Sequence, residues 1–115
     1  MQTGARAEEL ACRHLQNHGL RLVTRNYRCR HGEIDLVMLD GSTIAFIEVR
    51  FRSRTDFGSG AQSIDARKQA RLRRSAEHYL QRHASLLAPC RFDVVSIRNS
   101  VNTNQLEWIR NAFGA

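Results

Sequence analysis

Apolar residues recur at helical spacing over residues 6 to 18. Ala7, Leu10, Ala11 and Leu15 share one face there, and Gly19 supplies a stop. Leu20 to Val23 predicts a short edge strand. Two apolar runs then flank Asp40-Gly41, a strong hairpin signal. Phe51 to Ser63 is rich in Arg, Ser and Gly and reads as a loop. Ser63 is placed to cap a helix from Ile64 to about His83, whose buried side would use Leu72, Ala76, Tyr79 and Leu80. Pro89 closes the next connection. Cys90 to Ile97 alternates as a strand, with Phe92, Val94 and Ser96 on one face and Asp93, Val95 and Ile97 on the other. A polar turn, Asn99 to Asn104, leads to a last strand, Gln105 to Ile109, in which Trp108 is expected to pack. The order is helix, three strands, helix, two strands. It predicts an α/β sandwich with a mixed central sheet flanked by helices, as one domain over residues 1–115.

The hairpin carries the chemistry. Asp35 and Glu48 stand among Ile, Leu, Val and Phe, where acids are rare unless paired or holding a metal. Side chains alternate along a strand, so parity decides whether the two meet. A two-residue turn at Asp40-Gly41 pairs Leu39 with Ser42 and sets Asp35 diagonal to Glu48. A four-residue turn, Asp40 to Thr43, sets Asp35 directly opposite Glu48. Either turn puts both acids on one face, within reach of a shared hard cation such as Mg²⁺. From the hairpin alone, a cation site and an acid pair bonded to backbone or arginine are equally consistent. Asp93 is a further strand acid, expected to pair with a core arginine or to cap a backbone turn.

Charge narrows the partner. The 115 residues carry a formal charge of +7 and a pI near 10.6, which favours an acidic partner such as nucleic acid. Lys68 is the lone lysine among the basic residues. Arg25, Arg28 and Arg30 surround Asn26 and Tyr27, as in a rim that grips phosphate or stacks a base, or as in a solvated edge. Arg52 and Arg54 follow the second hairpin strand and are placed to touch a nucleic-acid backbone. Arg67, Arg71, Arg74, His78 and Arg82 form a stripe of one sign along the second helix, with Lys68 beside it. The five histidines are expected at scattered surface positions, with no Ser-His-Asp arrangement. Cys12, Cys29 and Cys90 are odd in number and far apart, which predicts reduced thiols in a cytoplasmic protein and no zinc site. No apolar run approaches the ~20 residues of a membrane-spanning helix.

Glu33-Ile34-Asp35-Leu36-Val37 followed by Phe46-Ile47-Glu48-Val49-Arg50 resembles the core of the PD-(D/E)xK nucleases. More narrowly, the chain resembles the YraN family (UPF0102), related in fold to archaeal Holliday junction resolvases. Further matches are Glu8, Arg25-Asn26, Lys68, Arg91-Phe92-Asp93-Val94-Val95 and Asn111-Ala112-Phe113, in order along nearly the whole chain. The resemblance implies a restriction-endonuclease-like sandwich and metal-dependent phosphodiester hydrolysis, with branched DNA in recombination or repair as the expected substrate. It implies Mg²⁺ or Mn²⁺ held by Asp35 and Glu48, with the Val49 carbonyl as a third ligand and Glu8 acting through water. Lys68 falls on the phosphate side of that site. Residue 50 would orient the attacking water, and here the family's lysine is Arg50. That departure sustains an alternative, a nuclease-fold DNA-binding module with little or no catalysis. Because related resolvases act as dimers, a homodimer is a further expectation.

Overall fold

A computed structural model of the protein describes residues 3–52, 64–99 and 104–114. Helix α1 (Thr3–Asn17) buries Ala7, Ala11, Cys12 and Leu15. It ends in a Schellman turn: Leu20 N–H donates to the Leu15 carbonyl at 3.1 Å and Gly19 N–H to that of Gln16 at 3.0 Å. Gly19 makes this turn at a φ of 96°, which a side chain would oppose. The next three elements are strands β1 (Arg21–Cys29), β2 (Gly32–Asp40) and β3 (Thr43–Arg52). Helix α2 (Ala66–His83), β4 (Cys90–Asn99) and β5 (Asn104–Phe113) complete the chain order.

The strands form one sheet in the order β1-β2-β3-β4-β5. Only β3 and β4 run parallel, and α2 lies between them in sequence, as a parallel connection requires. The other neighbours are antiparallel. Alternation divides the core into two layers. Leu36, Met38, Ala45, Ile47, Val95 and Ile97 pack on α1. Val37, Ile44, Phe46, Phe92 and Val94 pack on Leu72, Ala76, Tyr79 and Leu80 of α2. The predicted buried side of α2 is therefore its real one, with Ser75 added. This is the α/β sandwich with a mixed sheet that the element order predicts, of the restriction-endonuclease-like type. No helix among the described residues is long and apolar enough to cross a membrane.

Three local expectations change. The first edge strand continues past Val23 to Cys29, so Arg25 and Arg28 lie within β1 and only Arg30 in the following turn. Pairing with β2 carries this polar stretch into the sheet. A register shift between Leu22 and Thr24 and a left-handed Asn26 (φ 51°) break its alternation and hide it from pattern reading. The second helix is capped by Asp65, whose carboxylate accepts from Lys68 N–H at 2.8 Å; the expected cap, Ser63, lies outside the described residues. Strand β5 runs on to Phe113, because a bulge opposite Phe92 and Val94 lets pairing resume beyond Ile109.

Asp93 takes both roles expected of it. Fully buried, it accepts from Arg91 Nε at 3.0 Å and from Asn111 N–H at 2.9 Å, where Asn111 turns left-handed (φ 52°). Trp108 Nε1 donates to it as well, at 3.1 Å. Arg91 continues to Asp40 at 2.8 Å, which ties β4 to the tip of the β2–β3 hairpin. Cys12, Cys29 and Cys90 are free thiols.

Candidate functional site

The hairpin adopts the longer-turn register. Asp40 pairs with Thr43 and Leu39 with Ile44, with Gly41 at the tip in a left-handed φ of 62°. Continued along the strands, that register sets Asp35 opposite Glu48. The main-chain ladder runs only to Leu36 and Ile47. Beyond it the Asp35 side chain takes over the ladder's work: Val49 N–H donates to Oδ2 at 2.8 Å. The strands part at this point and leave a cleft on the α2 side.

That cleft has a volume of about 280 Å³ and is lined by Gly32, Glu33, Asp35, Glu48, Lys68, Arg71 and Leu72. Gly32 faces α2, where a Cβ would make ordinary contact with Ser75 Oγ at 3.5 Å; its φ of 143°, one that side chains rarely adopt, is what calls for glycine. Glu48 is almost fully buried, at 5 % exposure, and its Oε2 lies 2.6 Å from Lys68 Nζ. Burial, and then the Glu48 charge, push the Asp35 carboxyl up to about 7, against the lowering effect of the Val49 hydrogen bond. Glu8, at the edge of α1, also titrates high, through burial and the nearby Glu33 charge, against the lowering effect of the Asn26 side chain. Four carboxylates, Glu8, Glu33, Asp35 and Glu48, thus stand within one another's fields.

Such crowding of negative charge is relieved by a proton, an ammonium or a metal ion. The donors fit a hard divalent cation: two facing carboxylate oxygens on rigid strands, with backbone nearby. No three Asp, Glu, His or Cys side chains among the described residues converge to ligate a metal by themselves. Asp35 and Glu48 are the two side chains of this cleft that could serve a cation, with backbone carbonyl and water needed to complete its shell.

The basic residues divide. Arg25 is engaged by Glu9 at 3.0 Å and Arg28 by Glu33 at 2.7 Å, so two arginines of the expected rim already have acidic partners. Arg67, Arg71 and Arg74 are exposed along α2. Arg71 lines the acidic cleft and lies against Gly32. Arg50 pairs in register with Ser96 of β4 and is not among the described residues that line the cleft. Arg52 ends β3, and Arg54 lies outside the described residues.

The histidines gather rather than scatter. His14 and His18 lie with ring centroids 4.4 Å apart, tilted by 32°, beside Trp108. His78 and His83 flank Tyr27, and His31 lies beside His78. Arg82 Nε donates to His78 Nε2 at 3.1 Å, so Nδ1 carries the ring proton and donates to Tyr27 Oη at 2.6 Å. This chain of bonds ties the α2 stripe to β1. Spacing along α2 does not align His78 with His83; the β1–α2 contact brings Tyr27 to both. Two participants escaped the pattern reading. Glu33 shares strand parity with Asp35 and was legible in principle. Asn26 owes its place to a left-handed residue within a strand, which no spacing rule marks.

Fold and site define a small α/β sandwich of the restriction-endonuclease type, with facing acids where two central strands part. The family model described as uncharacterised protein family UPF0102 matches residues 7–97. A UPF0102 protein of Methylobacillus flagellatus is 53 % identical over 114 residues, covering 99 % of this chain and 98 % of its own. One from Stutzerimonas stutzeri is 51 % identical over 112 residues, covering 96 % and 93 %. The chain belongs to family UPF0102.

Proposed function

We propose that the protein is a divalent-cation-dependent nuclease acting on DNA, in the manner of the PD-(D/E)xK enzymes it resembles. The observation that carries this reading is the buried Asp35–Glu48 pair, opened to a cleft whose other wall is the start of a basic helix. Asp35 and Glu48 bind the cation, and the Val49 hydrogen bond fixes the Asp35 carboxylate toward it. A bound Mg²⁺ or Mn²⁺ supplies Lewis-acid stabilisation of the scissile phosphate and lowers the pKa of a water. Arg71 at the cleft and Arg74 further along α2 hold the flanking phosphates as bidentate donors. Glu8 steadies the site from α1.

The test is phosphodiester cleavage of branched and single-stranded DNA with Mn²⁺, comparing wild type with Asp35→Asn. Loss of about 10²-fold or more is expected when a cation ligand is removed. Equal cleavage by both proteins would refute the site.

Arg50 favours a second reading, a DNA-binding module of weak activity. Its guanidinium stays protonated at ordinary pH and cannot act as a base. Under this reading both wild type and Arg50→Lys bind DNA and neither cuts it. If the only obstacle is the loss of lysine, Arg50→Lys cuts faster than wild type.

A further inference from the structure

Lys68 stands where its own helix does not favour a cation. It occupies the first turn of α2, its N–H held by the Asp65 cap. The positive end of the helix dipole disfavours an ammonium there. What offsets this is Glu48, 2.6 Å away on β3 and almost fully buried, while the lysine side chain keeps 35 % exposure at the cleft mouth. The placement is built. Buried Ile64 precedes the cap, and the Gln69 side chain donates to the Ile64 carbonyl at 3.0 Å, which fixes the turn that carries Lys68. The chain spells every other basic residue as arginine. An ammonium differs from a guanidinium in being a compact point charge that can approach a single oxygen in a crowded site and can give up a proton.

We propose that Lys68 is the counter-ion of the cation-free site and, once a divalent cation takes Glu48, the ammonium that binds the phosphate oxygen at the reacting centre. It thereby fills from α2 the place that the resemblance gives to residue 50 on β3. The inference rests on the reading of the cleft as a cation-dependent phosphodiester site. Lys68 neutralises Glu48 while the site is empty, so the buried carboxylate is never left unpaired. It swings from Glu48 Oε2 toward the cleft when that oxygen is taken, still tethered by its capped turn.

The experiment is a calorimetric Mn²⁺ titration of the full chain, with cleavage of a branched DNA measured alongside, for wild type, Lys68→Met and Lys68→Arg. Removing the competing charge should tighten Mn²⁺ binding by about tenfold in Lys68→Met, while cleavage falls by about a hundredfold. Lys68→Arg keeps the counter-charge and should bind Mn²⁺ as wild type does, with cleavage lowered by at least about tenfold. If Lys68→Met is too unstable to titrate, the rise in its melting temperature on adding Mn²⁺ should exceed that of wild type. Unchanged Mn²⁺ affinity, or equal thermal shifts, overturns the counter-ion role. Wild-type cleavage in both variants overturns the phosphate role. Absence of Mn²⁺ binding or cleavage in the wild type itself overturns the parent reading of the cleft instead.

Discussion

Asp35 is the residue whose ionisation the site controls. Its folded pKa, about 7, lies above that of an ordinary aspartate. Its contribution to stability is therefore fully present below about pH 4 and is lost as pH rises through about 7. Glu8 shifts in the same direction. Glu9, lowered by its hydrogen bonds to Arg13 and Arg25, works the opposite way and only in acid. Urea unfolding of the cation-free protein should show stability falling between about pH 4 and pH 7, at about 1.4 kcal/mol for each pH unit fully within the Asp35 window. Asp35→Asn should flatten the fall. The same proton competes with a cation, so Mn²⁺ affinity should climb over this range; a flat affinity would sink the assignment of Asp35 as a ligand. The pairing of Asp35 with Glu48 was legible because strand parity is a local rule. The turn length was not, and it decided between diagonal and direct opposition.

Elements joined by a buried charge depend on it more than elements joined by an exposed one. Arg91 links β4 to the β2–β3 hairpin through Asp40 and satisfies Asp93, which is wholly buried. Arg91→Met strands that carboxylate and should cost roughly 3–5 kcal/mol. Arg28→Met breaks the exposed β1–β2 pair with Glu33 and should cost about 0–1 kcal/mol. Denaturant midpoints would compare the two, and equal losses would contradict the burial argument. The apolar periods of both helices and the alternation of β4 made these elements readable. β1 was cut short because its outer half is polar and its alternation is broken by Asn26. The α2 cap was misassigned to Ser63 because serine and aspartate both cap, and only the Asp65–Lys68 bond distinguishes them.

At the scale of the whole molecule, net charge was plain in the composition, but its layout was not. The fold brings the α2 arginines to the rim of an acidic cleft and joins them to β1 through the His78–Tyr27 bond. Duplex DNA binding should weaken with salt at a slope of about −0.9 per phosphate contact. The double substitution Arg71→Ala, Arg74→Ala should reduce that slope by about two contacts; an unchanged slope would make the stripe a solvated face. The left-handed asparagines have a different consequence. β1 and β5 are the two outer strands of the sheet, and each carries one, Asn26 or Asn111, together with a register shift. A flat outer strand is a template for amyloid-like stacking, and a kinked one is a poor template. The irregularity that satisfies Asp93 and its counterpart in β1 therefore also guard this protein against edge-to-edge aggregation.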